Sequence, residues 1–300
     1  MRRHSIRPRR YVAASILGFG LVTTVALSGC SPNTPPEPEN SVAGTVPGKA
    51  AAGTLPSSHV HGISRDPGSG KVNLATHEGL FVLQPDSSWV RVGPEVDLMG
   101  FAVSGPGTFY ASGHPAAGVD LPVPVGLIKS TDAGQTWTVL SRGGESDFHA
   151  LTASSKGVMG FDGALGVTSD GKTWSEGGLS VEPRALASAP DGSRVLATTE
   201  QGLLSSLDGG GTWVPLASAP QLFLVSWADS KTAVGVTTEG SLAVSEDAGL
   251  SWRVGAGKVS NGHAASGSRD KAGVLEILVV TDTGVVQSRD SGATLIDLKF

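Results

Sequence analysis

The sequence predicts an all-β fold, a six-bladed β-propeller of four-stranded antiparallel blades, and three observations predict it. A short phrase recurs: STDAGQTW at 130–137, SLDGGGTW at 206–213, SEDAGLSW at 245–252 and SRDSGATL at 288–295, with a shortened TSDGKTW at 168–174. Its tryptophans, Trp137, Trp174, Trp213 and Trp252, follow one another at about 40 residues, the period of blades in an array. Each interval divides into four short strand-like runs. The composition agrees: 42 of 300 residues are Gly and only 5% are aromatic, a mixture for strands and tight turns rather than helices.

The first 30 residues stand outside this pattern. Arg2, Arg3, Arg7, Arg9 and Arg10 form a positive head, and Tyr11 to Gly29 carries no charge, the layout of a secretory signal. A membrane-spanning helix is the competing reading, since the apolar run approaches the ~20 residues that one needs. The stretch LSGC, Leu27 to Cys30, resembles the lipobox of bacterial lipoproteins. That resemblance implies a diacylglycerol on the Cys30 sulfur, cleavage before it, and an extracytoplasmic protein anchored to the cell membrane. Cys30 is the only cysteine, so no internal disulfide competes for it. Arg9-Arg10 also resembles a twin-arginine export signal, and a plain secretory signal fits equally well. Residues 31–57, rich in Pro, Gly and Ala, offer little apolar surface to bury and read as a flexible tether.

Residues 58–300 divide into six units. They are HVHGISRD/VNLATH/GLFVL/WVRVG, MGFAVSG/TFYASG/GLIKS/WTVLS and FHALTAS/VMGFDG/LGVTS/WSEGG, then RALASAP/RVLATTE/GLLSS/WVPLA, FLVSWAD/TAVGVTT/SLAVS/WRVGA and HAASGSR/EILVVTD/VVQSR/TLIDLKF. The last run is the outermost strand of the sixth unit, so no strand is expected to be shared across the ring closure. Trp89, in PDSSW, marks a degenerate first copy of the phrase.

The phrase falls between the third and fourth strands of each unit. There an Asp accepts hydrogen bonds from its own turn and a Gly supplies a left-handed position. Trp137, Trp213 and Trp252 are expected to be largely buried between blades. With Asp132, Asp170, Asp208, Asp247 and Asp290 in equivalent places, residues 58–300 resemble the Asp-box, or BNR, repeat of sialidase-like propellers. The resemblance implies fold more than chemistry, because such propellers include sialidases, other glycosidases, photosystem assembly factors and sorting receptors.

Two other motifs fail on context. GVTSDGKT, 166–173, has P-loop spacing, but a strand opens at Trp174 where a phosphate-binding helix is required, and Asp170 places negative charge in the cradle. DTG at 282–284 and DSG at 290–292 look like aspartic-protease signatures, yet one strand separates the acids by roughly 17 Å, too far to share a proton.

Aligning the units puts His61, Met99, His149, Arg184, Phe223 and His263 at the start of the innermost strand, ringing the channel. His77, His114, Asp162, Glu200, Glu239 and Asp282 end the second strand. Adjacent strands run antiparallel, so both sets share one face, opposite the Asp turns. His61, His77, His114, His149, Arg184 and His263 are the predicted ligand-binding set, with His59 just before it. A histidine rim is expected to change charge between about pH 5 and 8. No metal is assigned: His61, His149 and His263 lie in units one, three and six, and His59-Val60-His61 alternates across a strand.

The net charge of −5 and the scattered Lys and Arg exclude a nucleic-acid surface. No cofactor is indicated, and a monomer is expected. Resemblance to sialidases implies an arginine triad, a Tyr–Glu nucleophile and an Asp acid. Beyond the signal the only tyrosine is Tyr110, only Arg184 stands on the rim, and the RIP start of the sialidase first blade is missing. Another glycosidase needs two carboxylates about 5–5.5 Å or about 6.5–9.5 Å apart. Glu78, Asp162, Glu200, Glu239 and Asp282 are the candidates. The reading favours a surface lipoprotein binding a glycan, peptide or protein, with a glycoside hydrolase as the alternative.

Overall fold

The computed structural model describes residues 48–298; the signal, Cys30 and most of the tether lie outside them. Those residues contain six antiparallel sheets and no helix. Blade one is Val60–Arg65, Val72–Thr76, Gly79–Leu83 and Trp89–Val92, and blade two is Val96–Gly105, Thr108–Pro115, Leu127–Ser130 and Thr138–Ser141. Blade three (Ala150–Ser154 to Ser175–Glu176), blade four (Ala185–Ser188 to Val214–Pro215), blade five (Leu222–Trp227 to Arg253–Lys258) and blade six (Ala264–Arg269 to Ile296–Asp297) follow. In every blade the strands hydrogen-bond in sequence order, as an up-and-down sheet requires.

Burial explains the sequence pattern. The second strands of blades one, four, five and six are buried at every position, because a neighbouring blade covers each face of the sheet. Hence they read as mostly Val, Leu, Ile, Ala and Thr without an alternation, broken by Asn73, Gly235 and Glu276. The outermost strands of blades three, four and six are exposed throughout. The apolar clusters bridge blades: Leu80 of blade one packs with Leu98 and Phe109 of blade two, and Val60, Phe81 and Trp89 pack with Leu278 and Val280 of blade six.

As expected, each blade draws four strands from one continuous stretch. The ring is closed by side chains: Arg65 of blade one grips Glu276 of blade six through Nε–Oε2 at 2.5 Å and Nη2–Oε1 at 2.7 Å. The tether, expected to run to residue 57, ends sooner. Lys49–Ala50 pairs with Trp89–Val92 as a fifth, outermost strand, and Leu55 packs on the closure core. Few apolar residues suffice here, because an edge strand gains backbone hydrogen bonds on pairing.

The recurrent phrase forms one hydrogen-bonded turn. In blade two Asp132 Oδ1 accepts from Ser130 Oγ at 2.8 Å and from the Thr136 amide at 2.9 Å, while Oδ2 accepts from Thr136 Oγ1 at 2.6 Å. Asp208, Asp247 and Asp290 repeat this pattern, and Asp170 keeps it in the shortened copy. Asp170 is thus committed to its own turn and no helix follows it, so the P-loop spacing has no phosphate cradle. The turn glycine is needed for close approach: Gly134 has φ of +86°, and a Cβ there would lie 2.2 Å from Leu80 Cδ2 of blade one. The tryptophans depart from expectation. Trp137, Trp213 and Trp252 are only half-buried, because each lies over the outer part of its neighbour, whereas Trp89 and Trp227 are buried.

Candidate functional site

The six innermost strands surround an open cavity of about 960 Å³. His61, Met99, His149, Arg184 and His263 line it at the starts of those strands, joined by Glu200. Of the other rim residues named from sequence, His77 and His114 adjoin His61 and His149, while Asp162 and Glu239 are exposed, away from the cavity lining. Of the five candidate acids, Asp162, Glu200, Glu239 and Asp282 belong to four successive blades and form no cluster, while Glu78 follows His77 on blade one and its charge helps to raise the Asp97 pKa. Asp282 accepts hydrogen bonds from Asn261 (2.7 Å) and pairs with His263 (2.6 Å); these partners hold it below its usual pKa, so it is not poised as a general acid.

The dense part of the rim lies on blades one to three. His77 is stacked between His59 and His61, with ring centroids 4.7 Å apart on each side. Two local features set how His59 and His61 approach that ring. The strand begins at Val60, leaving His59 before the alternation starts, and a β-bulge between Val60 and Gly62 makes His61 the extra residue. A bulge re-aims a side chain. The expectation that His59 and His61 alternate fails on geometry, because residues two apart share a face of a strand, and both rings meet His77.

Blade two contributes Asp97, absent from the sequence-based set. Its innermost strand starts at Val96, three residues before Met99, and pairs Asp97 with His114. The backbones approach closely enough that Gly113, at φ of +141°, has no room for a Cβ, which would sit 1.8 Å from the Asp97 carbonyl. Asp97 Oδ1 lies 3.6 Å from His61 Nε2 and Oδ2 lies 3.8 Å from His77 Nε2. Blade three supplies Asp147, also unforeseen, whose Oδ2 is 2.8 Å from His149 Nε2 and 3.7 Å from His114 Nδ1. Phe148, fully buried and stacked on Trp174, anchors this segment between Asp147 and His149.

A signal for both acids was present in the chain. Two residues before each ring position stand His59, Asp97, Asp147, Glu182, Gln221 and Asn261, all polar. Ending the alignment at the ring position hid that register.

The electrostatics are unusual. Burial, followed by the neighbouring His77, His59 and His149, lowers the His61 pKa to about 4. The charge change expected of the rim between pH 5 and 8 therefore does not extend to His61, its most enclosed imidazole, which is already neutral there. Burial is also the largest influence on Asp97, whose pKa is raised. His61 Nε2, Asp97 Oδ1 and Asp147 Oδ1 are shielded from solvent with no hydrogen-bond partner. Buried polar atoms without partners are uncommon and call for a ligand, ion or water. On the far side of the rim Arg184 stands over the Phe223 ring, 4.0 Å from its centroid, and forms no ion pair among the described residues.

No protein-family model matches the chain, and no curated protein matches it. Among solved structures, a GH74 enzyme from Niastella koreensis aligns at TM-score 0.53 and 18% identity, over 79% of this chain and 37% of that one. An ancestral GH74 enzyme aligns at TM-score 0.51 and 13% identity, over 85% and 39%. A structure of YCF48 bound to a D1 peptide aligns at TM-score 0.49 and 14% identity, over 81% and 83%. The chain spans less than two-fifths of either GH74 enzyme, and at these identities the likeness is one of fold: this chain is a six-bladed β-propeller.

Proposed function

We propose that this protein is a lipid-anchored extracytoplasmic lipoprotein whose Asp-box propeller binds a glycan, peptide or protein ligand at the histidine-bearing mouth of its channel. The observation that carries the reading is the set of shielded, unpartnered polar atoms on His61, Asp97 and Asp147 beside an open cavity. Ligand sites combine an apolar wall with a few convergent polar groups, and this rim has that composition. Arg184, exposed and without an acidic partner, supplies a cation for an anionic group on the ligand. Lipidation at Cys30 would hold that mouth at the membrane surface. The test is a binding screen of glycans, peptides and envelope proteins against the detergent-solubilised full chain, with Arg184→Ala and His149→Ala alongside. Ligand binding weakened by either change supports the assignment. A ligand that maps to the Asp turns and ignores both changes contradicts it.

A glycoside hydrolase is the second reading. What favours it is Asp97, a carboxyl raised by burial as a general acid requires, with the Asp147 carboxylate nearby in the same cluster. Of the five acids named from sequence, the four dispersed over blades three to six do not serve it. Glycoside hydrolysis abolished by Asp147→Asn would rank this reading first.

A further inference from the structure

At the mouth of the channel, the most concentrated chemistry is the meeting of blades one and two. We propose that His61 Nε2, His77 Nε2 and the Asp97 carboxylate form a binding site for one divalent first-row transition-metal ion, with a coordination position left open toward the channel. Ligand atoms of these three residues lie within 4.8 Å of one another, with His61 on the innermost strand of blade one, His77 in the turn after its second strand and Asp97 on the innermost strand of blade two. A tetrahedral ion bonded at the usual His and carboxylate distances would hold its ligand atoms ~3.3 Å apart. The observed separations of 3.6 Å and 3.8 Å are slightly wider than that.

The alternative is that the three groups simply satisfy one another, and the geometry argues against it. His61 Nε2 and Asp97 Oδ1 face each other beyond hydrogen-bond distance, and both are shielded from solvent without a partner. An ion between them supplies the missing partner to both at once. Two imidazoles with one carboxylate suit zinc or copper and not calcium or magnesium, which take oxygen ligands.

Three protein ligands with an open side describe a site that receives an exogenous group, in contrast to the closed four-ligand sites that serve structure. Here the open side is the channel, which His61 itself lines. The surroundings support the ligands. His59 stacks on the outer face of His77 and limits its orientations. The His61 and His77 rings are now 17° from parallel, so closure on one ion requires His77, the more exposed ring, to rotate toward Asp97. The adjacent His114–Asp147–His149 group has similar composition but is already closed by the 2.8 Å His149–Asp147 hydrogen bond, so one ion is expected rather than two.

This inference shares the unpartnered atoms of His61 and Asp97 with the organic-ligand reading, and the two fail separately: Arg184→Ala on blade four tests that reading and leaves all three metal ligands in place. The experiment is isothermal titration of the chelator-stripped full chain in detergent with Zn2+, Cu2+, Mg2+ and Ca2+. Zn2+ and Cu2+ should bind at one ion per chain and Mg2+ and Ca2+ should not. His77→Ala and Asp97→Asn should each weaken Zn2+ binding by at least ~100-fold, since loss of even an outer partner of a ligand costs roughly 10–100-fold. Both positions are partly exposed and Asn is isosteric with Asp, so thermal melts of the metal-free variants should match the parent. Three results overturn the proposal: no Zn2+ uptake by the parent chain, unchanged affinity in both variants, or binding lost in His263→Ala while His77→Ala retains it.

Discussion

Closure of the ring by Arg65 and Glu276 predicts a large and specific destabilisation. Glu276 has only 3% of its side chain exposed, and Arg65 19%. The perturbation is Arg65→Met, which keeps the aliphatic stem that packs along the blade and removes the charge. Glu276 would retain Ser268 Oγ at 3.2 Å, the Gln287 amide, and Arg289 at 3.9 Å. Breaking a buried pair from one side costs about 3–5 kcal/mol, and these remaining donors place the expected loss near the lower end, at about 3 kcal/mol. For a domain of this size that corresponds to a fall in Tm of roughly 6–12 °C. The assay is urea and thermal unfolding followed by circular dichroism, with Arg65→Met/Glu276→Leu as companion. Replacing both partners by apolar groups removes the uncompensated carboxylate, so the double variant should regain most of the loss. A single variant within ~0.5 kcal/mol of the parent, or a double variant no better than the single, would refute the reasoning.

Three further outcomes follow from the proposed anchor and from the turns. Cys30→Ala should shift the protein from the membrane fraction to the precursor or soluble pool; unchanged detergent partition would contradict the lipid anchor. Gly134→Ala should cost about 2–4 kcal/mol, combining a left-handed alanine with the 2.2 Å approach to Leu80, and a melt unchanged by the substitution would count against the inter-blade contact. Hydrogen bonds from Thr136 hold the Asp132 pKa at about 2, and donors in the other turns do the same for Asp208, Asp247 and Asp290, against an ordinary 3.8. Because the folded value is the lower one, the turns' contribution is fully present above about pH 4 and is lost as pH falls toward 2. The urea midpoint of Asp132→Asn should therefore fall less steeply than the parent's across that window, and identical slopes would contradict the assignment.

The fold was legible because its signal repeats. Six units with one register make each strand's position a consequence of the others, and Gly134 and its equivalents mark the turn in five of the six sheets. What the repeat could not reveal lay where a blade departs from it. The edge strand Lys49–Ala50 pairs through its backbone and carries no side-chain pattern to announce it. Trp137, Trp213 and Trp252 keep the repeat's position without deep burial, because overlap between blades thins toward the rim. The candidate site was half legible. His61, His77, His114 and His149 were visible as unusual residues in equivalent places, but Asp97 and Asp147 precede the strands that defined the alignment. The bulge at His61 and the lengthened strand of blade two are backbone irregularities. They bring His61, His77 and Asp97 together across a blade boundary, and strict periodicity held those residues apart.

The central claim is that the working face is the channel mouth where blades one and two meet. Anomalous X-ray diffraction from crystals of the protein soaked in Zn2+, recorded at the zinc edge, tests it most directly. The account predicts one strong peak bounded by His61 Nε2, His77 Nε2 and the Asp97 carboxylate, with density for an additional ligand on its channel side. A zinc peak confined to the turns of Asp132, Asp208, Asp247 or Asp290, or no peak between the two imidazoles at saturating zinc, would contradict it.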